Sequence, residues 1–236
     1  AMSHANVYIN GQKVGYWPYG YNSFHFDITK YLKPGEKNTL AVRLENLPES
    51  SRWYPGAGLY RNVHLIITED AYIPVWGTYI TTPSVNEKFA KVNVRTKVVL
   101  PEGADPAKYS VETSVWNPNK QKLTAVRTSL AQMKYNNNQA EQEFVIQAPS
   151  LWSPEMPALY SAETRLYEGD KLKDIYTTPF GIRSIEIIPD KGFFLNGKRT
   201  VFKGVCNHHD LGPLGAAVND AAIRRQIRIL KDMGCN

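Results

Sequence analysis

Apolar and polar residues alternate with a period of two through most of the first 180 residues, as in β-strands with one buried face. Near the start, Val7 and Ile9 are followed by Asn10-Gly11, a dipeptide that strongly indicates a tight hairpin. The alternation recurs in three more runs, at residues 24–28, 40–44 and 63–67. Residues 1–70 therefore predict an antiparallel sandwich, but one with too few strands to close two sheets.

Residues 71–181 continue the alternation in shorter runs. Strands are predicted at residues 92–100, 111–115, 143–146 and 162–167, and turn-forming groups such as Asn117-Pro118-Asn119 separate them. Short strands with turns at roughly 8–12-residue spacing are typical of an immunoglobulin-like sandwich.

The pattern changes after residue 181. A hairpin is predicted around Asn196-Gly197, then a buried strand at residues 201–205, a polar loop, and a helix with the apolar stripe Ile223, Ile227 and Leu230. Asn219 is a good N-cap for that helix and Gly234 a good terminator. Strand, loop and helix make one unit of an α/β barrel, whose binding groups gather in the loops after the strands.

Composition narrows the function classes. The chain has 236 residues, 42% of them hydrophobic, and a net charge of +6 that is concentrated towards the C-terminal helix. These values are typical of a globular protein. We expect no membrane span, because the sequence has no long apolar run. We also expect no nucleic-acid binding, because the sequence has no nucleic-acid-binding motif. Cys206 and Cys235 fit no zinc or redox spacing, so we interpret them as buried free thiols.

Two loops carry candidate chemistry. Residues 49–61 are rich in aromatic side chains, Gly and Arg, and sugars stack on aromatic faces and accept hydrogen bonds from Arg. Arg52 and Trp53 are the candidate ligand residues there, and a purely structural loop is the equal alternative. The polar loop after residue 205 carries Asn207, His208, His209 and Asp210. Sugar binding, solvated loop histidines and a Zn²⁺ or Mn²⁺ site remain open for it, although adjacent residues rarely converge on one ion.

Three blocks of sequence resemble glycoside hydrolase family 2, which includes β-galactosidases, β-glucuronidases and β-mannosidases. The blocks are Ser51-Arg52-Trp53-Tyr54-Pro55-Gly56, Leu151-Trp152-Ser153-Pro154 with Pro157-Ala158-Leu159-Tyr160, and Lys203-Gly204-Val205-Cys206-Asn207-His208. The resemblance implies a mainly β fold with a barrel start. Residues 1–70 would be a partial jelly-roll, galactose-binding-like sandwich, residues 71–181 an immunoglobulin-like β-sandwich, and residues 182–236 the first strand, loop and helix of a (β/α)8 barrel.

The resemblance also implies a retaining exo-glycosidase that hydrolyses terminal β-linked sugars, with β-galactosides as the expected substrates. Such enzymes use two carboxylates, and the family places both glutamates on later barrel strands. The chain is thus expected to be an inactive internal fragment. His208 matches the family's sugar-binding histidine, His209 and Asp210 match only some branches, and Cys206 replaces the more common Asn.

Partners and location follow from the same resemblance. We expect a carbohydrate substrate and no cofactor, while a cation and homo-oligomer formation in the intact enzyme stay open. A periplasmic or secreted location is favoured over a cytoplasmic one. The rival hypothesis is a non-catalytic, carbohydrate-binding or cell-surface β-sandwich protein, and the strand, loop and helix at the C-terminal end count against it.

Overall fold

The structure, a computed structural model, describes residues 1–49, 56–131, 139–208, 210–217 and 219–236. Within these ranges the chain forms two compact units. The first combines Ala1–Leu65 with Lys203–Asn236, and the second is Ile66–Phe202. The fold is mainly β, as predicted, while the division into residues 1–70, 71–181 and 182–236 stays a prediction.

The first unit is built on a three-stranded antiparallel sheet of order β2-β1-β3. Its strands are β1 (Ala5–Ile9), β2 (Gln12–Trp17) and β3 (Leu40–Arg43). The hairpin between β1 and β2 is confirmed, with Asn10 at φ 51° and Gly11 at φ 81°, the left-handed conformations that a two-residue hairpin turn requires. Ala5, Val7 and Ile9 form the buried face of β1.

Two strands predicted in this region are wrong. Residues 24–28 form no ladder. Phe24 instead stacks on Trp17 with ring centroids 5.7 Å apart, and Phe26 packs over Gly15, where a Cβ atom would overlap its ring. Residues 63–67 also form no ladder, and Ile67 is 84% exposed. Alternation predicts a buried face, but a strand also needs a neighbour for its amide groups, and no strand among the described residues pairs with either run.

The second unit contains the immunoglobulin-like sandwich, which the sequence predicts correctly. One sheet has the order β4-β5-β8 and the other β10-β9-β6-β7, with every pair antiparallel. The strands are β4 (Thr78–Val85), β5 (Phe89–Lys97), β6 (Tyr109–Trp116), β7 (Lys122–Ser129), β8 (Gln139–Gln147), β9 (Tyr160–Glu168) and β10 (Lys171–Phe180).

A polar layer divides the core of the sandwich. Two strands of each sheet place a buried polar residue between two apolar ones on their inward face, and these residues are Thr96 (β5), Thr113 (β6), Gln142 (β8) and Thr164 (β9). On both sides of the layer the inward-facing residues belong to separate apolar clusters. Gln142 Nε2 lies 3.1 Å from the Val126 carbonyl oxygen and thereby links the two sheets.

A seam of contacts joins the edges of the two sheets, because the segment that leads into β4 runs beside β10. The Ile73 amide donates to Asp174 Oδ2 (2.8 Å), the Trp76 amide donates to the Tyr176 hydroxyl (3.0 Å), and Thr78 and Thr178 share a hydrogen bond. The seam begins at Lys173, whose side chain is only 6% exposed. Its ammonium group lies 2.6 Å from Glu69 Oε2 and 2.8 Å from Asp70 Oδ1.

A small three-stranded sheet follows the sandwich, made of β11 (Ile185–Ile188), β12 (Gly192–Leu195) and β13 (Lys198–Arg199). The predicted hairpin turn at Asn196-Gly197 is confirmed by φ values of 52° and 74°. The Asn196 side chain donates to the Trp152 carbonyl (3.0 Å) and accepts from the Ser184 amide (3.0 Å), so this hairpin is tied to the end of the sandwich.

The predicted C-terminal helix is confirmed as α1 (Asp220–Asp232). Asn219 caps it by accepting a hydrogen bond from the Ala222 amide (3.1 Å), and Gly234 at φ 92° follows its last turn. No residue of the helix is buried, and Ile227 of the expected apolar stripe is 49% exposed. Among the described residues, no helix is both long and apolar enough to cross a membrane.

The strand predicted at residues 201–205 is not formed, since no described strand pairs with it. One pair of contacts nevertheless has the arrangement expected at a barrel start. The Asn236 amide donates to the Lys203 carbonyl (3.0 Å), and the Lys203 amide donates to Asn236 Oδ1 (2.8 Å), so the chain leaving α1 returns beside the expected strand. Cys206 is exposed and Cys235 half-buried, both as free thiols. The prediction that both are buried is therefore wrong, because without strand pairing residues 201–208 stay exposed.

Candidate functional site

The loop that follows residue 205 is held in shape by its own hydrogen bonds. Asp210 Oδ1 accepts a bond from the Gly212 amide (2.8 Å), the Leu211 amide donates to the Gly215 carbonyl (2.9 Å), and the Gly215 amide donates to the Gly212 carbonyl (2.9 Å). Gly212 has φ 63°, a left-handed conformation that favours glycine. These bonds close the turn at residues 210–215 on itself.

The structure places the predicted binding residues of this loop on its surface. Asn207, His208 and Asp210 are all exposed, while His209 lies outside the described residues. Asp210 accepts a hydrogen bond from the Gly212 amide, so its side chain also has a structural role in the loop. Exposed Asn and His side chains can donate to and accept from sugar hydroxyl groups.

The described part of the aromatic loop, residues 56–61, is anchored at two points on the first unit. Gly58 and Met2 exchange main-chain hydrogen bonds of 3.1 and 3.3 Å, and the Tyr60 hydroxyl donates to the Gly20 carbonyl (2.7 Å). Burial raises the pKa of the Tyr60 hydroxyl above its usual value, which keeps this donor protonated. Arg52 and Trp53, the two candidate residues of this loop, lie outside the described residues.

The two candidate loops meet in the first unit. A Cβ atom added at Gly56 would lie only 2.9 Å from the Cβ atom of Ala216, which is closer than real Cβ atoms come to a neighbouring carbon. The sequence indicates the two loops separately and does not show that they meet, and it gives Ala216 no distinguishing feature. The signal available in the sequence was Gly56-x-Gly58, since paired glycines in an aromatic loop indicate close approach of the backbone.

The described residues contain no group of three or more His, Cys, Asp or Glu side chains arranged to hold a metal ion. The carboxylates of Glu69 and Asp70 gather around the ammonium group of Lys173 and pair with it. Hydrogen bonds from Lys173 lower the pKa values of both Glu69 and Asp70. This cluster belongs to the sandwich and stabilises its seam.

Comparison with known proteins agrees with this architecture. The family model "Glycosyl hydrolases family 2" matches residues 72–183, the length of the sandwich with its seam. A curated relative, "Beta-galactosidase BoGH2A" of Bacteroides ovatus, is 43% identical over 99% of this chain. The chain belongs to glycosyl hydrolase family 2. A member of this family from Bacteroides cellulosilyticus, whose structure is solved, covers 99% of the chain with a TM-score of 0.89 at 36% identity.

Other relatives in the family carry a different name. A "Beta-glucuronidase" of Bacteroides fragilis is 33% identical over 99% of this chain. The chain covers 27% of the length of the Bacteroides ovatus relative, 35% of this glucuronidase and 30% of the solved Bacteroides cellulosilyticus chain. It therefore spans about a quarter to a third of the proteins that it resembles.

Proposed function

We propose that this chain acts as part of a retaining exo-glycosidase that removes terminal β-linked sugars, with β-galactosides as the preferred substrates. The observation that carries this proposal is the 43% identity to a β-galactosidase along 99% of the chain. In this proposal the sandwich of the second unit has a structural role. The first unit contributes the surface on which Asn207, His208 and Asp210 lie, and the sugar binds at that surface.

The 236-residue chain alone is proposed to be inactive. A retaining glycosidase needs one carboxyl group that stays protonated as the acid and a second one, about 5–5.5 Å away, as the nucleophile. All 22 Asp and Glu residues lie in the described parts of the chain. Where they gather, at Glu69 and Asp70, Lys173 lowers both pKa values, which is the opposite of what a general acid requires.

A β-glucuronide is the second candidate substrate. It is favoured by the relative of that name at 33% identity, which covers as much of this chain as the galactosidase does. The two sugars differ in the configuration of the C4 hydroxyl and in the C6 carboxylate of glucuronic acid, which a cationic side chain such as Arg52 would bind. The galactoside remains our first choice because the identity to the galactosidase, 43%, is higher than the 33% to the glucuronidase.

The test is a panel of p-nitrophenyl β-glycosides, with galactoside, glucuronide and mannoside assayed in parallel on two proteins. One is the 236-residue chain, and the other is the product of the full gene that encodes it. We expect the full product to hydrolyse the galactoside with the highest kcat/KM, and the 236-residue chain to hydrolyse none of the three.

The outcomes separate the parts of the proposal. A preference for the glucuronide would contradict the proposed sugar but would still support the proposal that the protein is a glycosidase. Hydrolysis by the 236-residue chain would contradict the argument from its carboxylates. If the full product hydrolyses no glycoside and still binds sugars in calorimetry, the non-catalytic carbohydrate-binding protein becomes the better account.

A further inference from the structure

We propose that Gly56 and Ala216 form a positioning contact that fixes the turn at residues 210–215, which carries Asp210, against residues 56–61 of the aromatic loop and thereby sets the affinity for sugar. This inference rests on the proposed function, which places sugar binding on the surface where Asp210 lies. It adds two residues that themselves contact no sugar in this proposal.

The first step is the internal bonding of the turn at residues 210–215. The Gly212 amide donates to Asp210 Oδ1, the Leu211 amide donates to the Gly215 carbonyl and the Gly215 amide donates to the Gly212 carbonyl. Ala216 follows this turn directly in the chain. A displacement of Ala216 is therefore passed on to the turn and to Asp210.

The second step is the anchoring of the aromatic loop. Gly58 has φ 126°, which only glycine adopts without strain, and it pairs with the Met2 main chain in both directions. Met2 is 4% exposed and packs where a side chain at Gly20 would lie, while the Tyr60 hydroxyl bonds to the Gly20 carbonyl. Residues 56–61 are thus attached to the sheet of the first unit and cannot easily yield.

The third step is the contact itself. Because both loops are fixed, the 2.9 Å between an added Cβ atom at Gly56 and the Cβ atom of Ala216 leaves no room for a methyl group. Ordinary contacts between such atoms begin at 3.4 Å, so Gly56→Ala must shift one loop by roughly half an ångström or more.

The test is a double-mutant cycle in the full gene product, with G56A, A216G and G56A/A216G. We expect G56A to raise KM for the glycoside by about tenfold, the size expected when one hydrogen bond to the sugar is weakened. The kcat should change less than about twofold, because the carboxylates lie elsewhere in the proposed enzyme. Removing the Ala216 methyl in G56A/A216G should restore KM.

A matched control uses the next residue. Ala217 is exposed and does not oppose Gly56, so G56A/A217G should keep the high KM of G56A. A216V fills the same gap from the other side and should raise KM in the same way. Rescue by A217G, or failure of A216G to rescue, overturns the inference.

A second measurement is independent of catalysis. In the 236-residue chain, hydrogen exchange of the Leu211 and Gly215 amides should become faster in G56A and return to the original rate in G56A/A216G. Unchanged exchange together with an active enzyme overturns this inference alone. A full gene product that hydrolyses no glycoside overturns the proposed function, and the inference with it, whatever the exchange shows.

Discussion

The hydrogen bond between Thr113 and Thr164 tests how the polar layer contributes to stability. The two hydroxyl groups face each other across β6 and β9 at 3.3 Å, and both residues are 0% exposed. Valine has nearly the same shape as threonine. Thr113→Val leaves the Thr164 hydroxyl buried without its partner, at a cost of about 2 kcal/mol, while the new methyl group returns about 0.8 kcal/mol. Each single substitution should destabilise the sandwich by about 1 kcal/mol.

The double substitution should behave differently. In T113V/T164V no hydroxyl is left unpaired, so only the net value of one hydrogen bond, about 1 kcal/mol, is lost, and two methyl groups are gained. We expect a free energy of unfolding within about 1 kcal/mol of the original, and a coupling energy of about 3 kcal/mol between the two sites. Equilibrium urea unfolding, with hydrogen exchange of the β6 and β9 amides as the local probe, measures all four proteins. Additive effects of the two substitutions would refute the reasoning.

Two further predictions concern electrostatics and capping. Lys173 lowers the pKa values of Glu69 and Asp70, so their contribution to stability is present above the usual carboxyl pKa of about 4 and is lost as the pH falls through their lowered values. K173M should flatten this acid-induced loss in urea unfolding measured from pH 6 to pH 2, and an unchanged pH profile would contradict it. Asn219→Ala should reduce helix stability by about 1 kcal/mol, and Asn219→Asp should preserve it. Hydrogen exchange of the Ala222 amide reports both variants, and equal protection in Asn219→Ala would contradict the capping role.

Local chemistry explains what the sequence predicted well. The turns at Asn10-Gly11 and Asn196-Gly197 need left-handed residues at fixed positions, and these dipeptides provide them without help from the rest of the chain. The N-cap of α1 is equally local, because Asn219 bonds to an amide three residues away. Such features depend on neighbours in sequence, and the structure confirms them.

The wrong predictions depend on partners that a pattern does not show. Residues 24–28 alternate as well as β5 does, but their aromatic side chains pack over the β1–β2 hairpin while their amides pair with no strand. Cys206 follows an apolar run and was expected inside a barrel, yet it is exposed. An apolar run indicates a preference for burial, and only the tertiary structure determines whether a covering element is present.

For the candidate site, the sequence identifies the candidate residues but does not show how they are arranged in space. His208 and Asp210 were found because polar residues follow a strand-like run. Their different environments, with Asp210 bonded to the Gly212 amide, required coordinates. The approach of Gly56 to Ala216 joins residues far apart in the chain, and small residues carry little pattern of their own. A close backbone approach of this kind cannot be predicted from the sequence alone.

The seam between β4 and β10 has a consequence for synthesis on the ribosome. Thr78 and its partner Thr178 are 100 residues apart. At a translation rate of about 5–20 residues per second, the edge of β4 waits roughly 5–20 seconds before its partner is made. During that time the amides of Ile73 and Trp76 and the hydroxyl of Thr78 lack their partners on β10. The two sheets are therefore joined at this seam only late in synthesis, once β10 has left the exit tunnel.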